Sequence, residues 1–173
     1  MSVESRREGR TLMAKNTILH QAQKGIVNVP ERLKVLDARQ NFAVLATSGE
    51  GQPYTSLVSF ALTPDGEKFI FATSKKTSKY KNILRSSRVA VLIDNRPSRA
   101  EKIMTAEAIT VLGEARLVRR GALRNEMAQI LLAKHPGLAG FLSTSTTALI
   151  CVRIHRCIHV GQFQRITIWQ CRK

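Results

Sequence analysis

From Phe42 to Ser74 the chain is a succession of short apolar runs separated by turn-forming residues, and this punctuation restricts the fold more than any other feature. FAVLATS has strand character, SGEGQP is a turn cluster, and YTSLVSFAL resumes the strand pattern. TPDGE then supplies Asp65-Gly66, a pair suited to the left-handed conformations of a hairpin turn, ahead of a third strand, KFIFATS. RVAVLIDN and AEAITVLGEARLV read as a fourth and a fifth strand, the latter bent or bulged at Gly113. TALICVRIHRCIHV and QRITIW read as the last two. Three helices are expected. One begins at Pro30 with Leu33 and Leu36 on one stripe; one covers SKKTSKYKNILRSS, with Tyr80, Ile83 and Leu84 at helical spacing. The third is ALRNEMAQILLAKH, with Met127, Ile130, Leu131 and Lys134 on its pattern and His135-Pro136-Gly137 as its stop. Six to seven strands, most joined by tight turns, predict a mainly β chain with a few helices, folded as an antiparallel barrel. Residues 1–29 show little periodicity and read as an N-terminal extension of uncertain order; residues 30–173 read as the single domain.

The charge balance bears on partners rather than on fold. The chain has 28 Lys and Arg against 12 Asp and Glu, a net +16, and Glu126 is its last acidic residue. Such an excess attracts anions. Nucleic acid is not the expected partner, because aromatics for base stacking are scarce at 5% and neither zinc-finger spacing nor a recognition helix is present. No apolar run approaches a membrane span. The three cysteines are odd in number, form no CxxC, and follow an N-terminus without the apolar core of a secretion signal. A cytoplasmic location with free thiols is the expectation.

Chemistry concentrates in FATSKKTSKYKNI. A strand end delivers Thr73 and Ser74, and a helix opens at Thr77, Ser78 and Lys79, so hydroxyls, unpaired amides and cations meet. One phosphate monoester matches that set; a solvated basic helix accounts equally for the spacing alone. The order of FAVLATSGEGQPYTSLVSFAL, FIFATSKKTSKYKNILRSSRVAVLIDN and a strand containing VLGEARLV resembles the pyridoxamine 5'-phosphate oxidase-like, FMN-binding split-barrel family, over about Pro30 to Trp169. The resemblance implies a split barrel whose TSLVSF strand lays Ser56, Leu57, Val58 and Ser59 along a flavin, with Ala72 and Thr73 at the next strand end. It implies that Ser78 and Lys79 grip the FMN phosphate with Thr77 as helper. Ser78 stands where relatives often carry Arg, a cation that Lys75 or Lys76 could replace. Asn95 and Arg96 match a position that approaches the flavin from the other subunit, and Trp169 one that covers its edge. A homodimer with a small-molecule substrate follows from the same resemblance, with FAD, a deazaflavin or haem as alternatives to FMN. Oxidation of pyridoxamine phosphate itself is not expected: the four residues after Trp169 are too few for the Arg-rich substrate element, and ALRNEMAQILLAKHPGLAGFLS lacks the Tyr–Arg–Ser spacing.

CVRIHRCIH is a second concentration of chemistry. At strand period, Cys151, Arg153, His155, Cys157 and His159 share one face and Ile150, Val152, Ile154 and Ile158 the other. Alternate residues of a strand lie about 6.6 Å apart, so Cys151 and His159 cannot close one metal site without another segment. Packing is the better reading of these thiols, and a lone His as haem ligand the alternative. The chain has no P-loop, GxGxxG, nucleophile elbow or paired carboxylates, and no catalytic residue is identifiable from it. With a flavin bound, the redox chemistry would be the cofactor's.

Overall fold

The computed structural model describes residues 27–96, 104–161 and 165–171. Most of the expected N-terminal extension therefore lies outside the described residues. Seven strands form one antiparallel sheet: β1 (Phe42–Gly49), β2 (Gln52–Leu62), β3 (Lys68–Ser74), β4 (Arg88–Asp94), β5 (Ala108–Leu117), β6 (Thr147–Gly161) and β7 (Arg165–Gln170). Their order is β3-β2-β1-β4-β5-β6-β7, and a further β3–β6 pairing closes the first six into a barrel. The seventh strand is an appendage, made possible by the length of β6. Its residues Thr147–Arg153 pair with β3, whereas Arg156–Gly161 pair with β7. Among the described residues there are also four α-helices: α1 (Val29–Arg39), α2 (Ser78–Arg85), α3 (Ala122–Lys134) and α4 (Ala139–Ser143). None of the described helices is long and apolar enough to cross a membrane.

The hairpin signals do what their chemistry requires. Glu50 and Gly51 both take positive φ (53° and 83°), which turns β1 into β2 in two residues; Gly66 has φ 76° in the next turn. The interior is apolar, with Phe60, Phe69 and Phe71 fully buried and the Phe60 and Phe69 rings stacked at 4.8 Å. Helix α1 adds Val29, Leu33 and Leu36 to that core, and Asn28 caps it by accepting from the Glu31 amide. Helix α3 covers the outside of β2, β3 and β6 through Met127 and Leu131, which pack with Ile70 and Leu149 in a second cluster. Burial of each such side chain stabilises by about 1.5–3 kcal/mol.

The alternation expected for CVRIHRCIH is corrected by the register. Leu112 pairs with Arg156 and Gly113 with Ile154, so His155 is an extra residue on β6, a β-bulge. The bulge inverts the pattern after it. Cys157 and His159 therefore point inward, on the side of Val152 and Ile154, while Cys151 and Arg153 face the other way and His155 is exposed. The five residues do not share a face. Burial pushes the Cys157 thiol up to about 12 and raises Cys151 and Cys171, so all three are poor thiolates.

Candidate functional site

The β2–β3 ladder runs only from Leu62↔Phe69 to Phe60↔Phe71. Beyond that rung the two strands continue without each other: β2 pairs with β1 alone, and β3 with β6 alone. An open seam results, with residues 55–59 on one edge and Ala72, Thr73 and Ser74 on the other. Six of the residues singled out in the sequence, Ser56, Leu57, Val58, Ser59, Ala72 and Thr73, thus border one opening. Val58 and Thr73 are buried, Leu57 is 63% exposed, and Ser56 keeps a buried hydroxyl with no hydrogen-bond partner among the described residues.

Helix α2 starts where β3 ends, and its docking is specific. Ile83 is buried in the core, and the buried Asn82 amide donates to the Thr47 hydroxyl at 3.1 Å. A Cβ on Gly49 would lie 2.5 Å from Asn82 Oδ1, so β1 must present glycine there. Thr77 is the N-cap: its hydroxyl accepts from the Tyr80 amide at 3.4 Å, donates to the Ser74 carbonyl at 2.9 Å, and lies 3.0 Å from the Thr73 hydroxyl. That hydroxyl is fully engaged in shaping the turn, so Thr77 serves by positioning the turn. The first backbone bond of the helix is Lys81 N–H to Thr77 O, which leaves the Ser78 and Lys79 amides without an intrahelical partner. No acidic residue occupies this first turn. Ser78 is exposed and Lys79 half-buried. Lys75 does not belong to the cluster, because its ammonium donates to the Ser145 carbonyl at 2.7 Å.

Arg96 and Leu57 line one shallow groove of about 300 Å³ beside Phe42. A second groove, of about 340 Å³, continues from Phe42 past Ser59 to Lys134 and His135. The Arg96 guanidinium forks onto Asp94 at 2.6 Å through both nitrogens, and this bond holds the Asp94 carboxyl below its usual range. Asn95 lies elsewhere. Between Arg88, next to α2, and Asp94 the strand rises about 20 Å, which puts Asn95 at the opposite end of the barrel from Lys79. Trp169 pairs with Cys157 on the inward side and packs against the core.

Asn95 joins a network that nothing local in the sequence signals. Glu107 accepts from the Arg32 guanidinium through two nitrogens, from Asn95 Nδ2 at 3.3 Å, and lies 3.1 Å from His159 Nε2. His159 is buried, and its Nδ1 has no partner among the described residues. Burial pushes the Glu107 carboxyl up, but the bonds from Arg32 and His159 outweigh it and hold the group below its usual value. A depressed folded value contributes stability above the unfolded value and loses it as pH falls through the folded one. The denaturation midpoint should therefore drop as pH falls below about 4.5, and Glu107→Gln should flatten that drop. The same variant should cost about 1–3 kcal/mol at pH 7, by leaving Arg32 without its counter-charge. An unchanged acid limb in urea titrations would assign the acid sensitivity to another carboxylate. Among the described residues, no group of three or more His, Cys, Asp or Glu could hold a metal ion.

The family model described as pyridoxamine 5'-phosphate oxidase matches residues 29–160. No curated protein matches the sequence. Among solved structures, a haem-binding protein from Mycobacterium smegmatis superposes with a TM-score of 0.74 at 18% identity, over 84% of this chain and 59% of that one. ChuZ from Campylobacter jejuni gives 0.72 at 15% identity, over 87% and 62%. The chain thus spans about three-fifths of the length of these two proteins. An FAD-binding protein from Mesorhizobium loti gives 0.62 at 14% identity, over 78% of this chain and 94% of that one. At such identities the superpositions speak for the fold alone, whereas the family model covers most of the barrel, including both edges of the seam and the α2 turn. By its six-stranded split barrel and this match, the chain belongs to the pyridoxamine 5'-phosphate oxidase family.

Proposed function

We propose that the protein binds FMN along the seam between β2 and β3 and, as a homodimer, passes hydride between the flavin and a small substrate. The seam itself carries this reading: two strand edges without ladder bonds, an orphaned Ser56 hydroxyl, and an acid-free helix start with free Ser78 and Lys79 amides meet at one opening. These residues fit the cofactor. Ser78 and Lys79 would hold the phosphate, Ala72 and Thr73 would border its approach, and Ser56, Leu57, Val58 and Ser59 would lie along the ring and its chain. When bound, the flavin supplies the hydride chemistry; the protein positions it and excludes water. The same seam suits FAD or a deazaflavin, and the Mesorhizobium loti protein supports flavin in general.

The outer face of the sheet supports the dimer. One rung crosses six strands as Leu57–Val44–Leu92–Thr110–Ile158–Ile168. Phe42 and Val160 add to it, at 55% and 37% exposed. A contiguous apolar face of this kind suits burial against a second copy of the chain. Across it, Arg96 would reach the partner's flavin, whereas Asn95 is held on Glu107 and Trp169 faces the core, so the same role for those two would require both to be released. Ile168→Glu, on an exposed position of that rung, should give a monomer in light scattering and release the flavin with it. A dimer that persists would put the interface elsewhere.

Haem is the second reading, favoured by the exposed His155 on its bulge and by the haem-binding Mycobacterium smegmatis protein. His159 is unsuited to it, since Nε2 is held at Glu107 and Nδ1 is enclosed. The deciding experiment is the visible spectrum of purified protein, with identification of any chromophore released by heat. FMN near one per chain is the expected result. A Soret band lost in His155→Ala would favour haem, and a colourless protein that also refuses added FMN would overturn the flavin reading.

A further inference from the structure

The excess of positive charge is not used by the seam, and the structure concentrates part of it in one cavity on the other side of β3. This cavity, of about 910 Å³, lies between the start of α3 and the turn that leads into β6. Lys75, Arg119, Arg120 and Arg124 line it, and no carboxylate does. None of the four forms an ion pair among the described residues, whereas Arg32, Arg85, Arg96, Arg116, Arg153 and Lys134 all do. Two of the four are nonetheless fixed. Lys75 Nζ donates to the Ser145 carbonyl at 2.7 Å and Arg124 Nη2 to the Leu142 carbonyl at 3.2 Å. A carbonyl holds a cation in place without neutralising it. Four like charges gathered in a concave, partly apolar site repel one another and focus the field on whatever anion enters. The cavity of Glu107 is the contrast: it contains arginines too, but also Glu31 and Glu107.

We propose that this cavity is a binding site for a small organic phosphate carrying two or more phosphoryl groups. Guanidinium forks suit phosphate oxygens, and three arginines with a lysine exceed what one monoester would take up. The Ser143 and Thr144 hydroxyls on the same wall donate to the Gly140 and Phe141 carbonyls, which leaves anion binding to the cations, and buried Val118, Leu142 and Leu149 offer an apolar floor to the organic part. The concavity favours a small molecule over a nucleic acid, which a flat basic face would serve better. The site shares no residue with the Ser78–Lys79 turn and stands independently of the flavin reading.

The test is calorimetric titration of the full-length protein, with and without added FMN, with inorganic pyrophosphate at about 0.1 M salt. Saturable binding is expected, weakened at least about tenfold in Arg119→Gln/Arg120→Gln and unchanged in Lys79→Ala. Both arginines are exposed, so the double variant should keep the parent's denaturation midpoint, and its bound flavin is read separately at 450 nm. Binding lost in Lys79→Ala but kept in the double variant would overturn the proposal, as would no saturable binding at all. Duplex DNA that the double variant releases and pyrophosphate does not displace would make the face a nucleic-acid surface and overturn it as well.

Discussion

Lys79→Ala should weaken FMN binding by about 10- to 150-fold, the equivalent of about 1.5–3 kcal/mol for a charge-assisted contact to phosphate. The residue is half-buried in the first turn of α2, where no acidic side chain competes for it. On the proposed reading its ammonium and the free amides of Ser78 and Lys79 share the phosphate, so loss of the charge removes an ionic member of the set. Ser78→Ala should cost less, about 2- to 10-fold, because a neutral hydrogen bond is worth roughly half as much. Riboflavin separates this effect from a general loosening of the seam. Lacking the phosphate, it should bind parent and Lys79→Ala within about twofold of each other. Fluorescence titration of both flavins measures the two ratios directly. Equal losses for FMN and riboflavin would mean that Lys79 supports the ring rather than the phosphate; no loss for either would place the phosphate elsewhere.

The parts of this fold that were legible in the sequence are those set by local chemistry. The Glu50-Gly51 and Asp65-Gly66 turns, the Pro30 start of α1, and the His135-Pro136-Gly137 end of α3 each follow from the conformations those residues accept. The seam was legible only through the order of motifs, since nothing within TSLVSF or FATS shows that the two strands part after Phe60 and Phe71. Glu107's network was not legible. Its partners Arg32 and His159 lie 75 and 52 residues away, and a single carboxylate before a strand looks like any other. One signal was available: in a chain with 12 acidic residues among 173, a carboxylate flanked by AITVL had few reasons to stand there. The bulge shows how a correct local reading can still mislead. Gly113 marks it, but the extra residue sits on the facing strand, at His155, because a glycine reports how closely its neighbour's backbone approaches. Period-two counting through His155 therefore put Cys157 and His159 on the wrong side of the sheet.

That close approach makes Gly113→Ala a strongly destabilising single-methyl change. A Cβ at Gly113 would lie 2.3 Å from the Arg153 carbonyl oxygen and 2.8 Å from Val152 Cγ1. The Val152 side chain is fully buried and has nowhere to turn. Nor can the carbonyl retreat, since Val152 and Arg153 are held on one side by Phe69 and Lys68 of β3 and on the other by Ala115 and Glu114 of β5. Gly113 itself is tied to Val89 of β4. Relief would require β5 and β6 to separate at the bulge, in the most heavily paired part of the barrel. The expected cost is about 3 kcal/mol or more, at the top of the range for overpacking and a large share of the ~5–15 kcal/mol that such a domain possesses. Gly137→Ala is the control: nothing lies within 4 Å of its added Cβ, and it should shift stability by less than about 0.5 kcal/mol. Urea denaturation of the two variants beside the parent measures both costs. A Gly113→Ala protein within about 1 kcal/mol of the parent would mean that β6 can slide to absorb the methyl, and that His155 is not locked at the bulge.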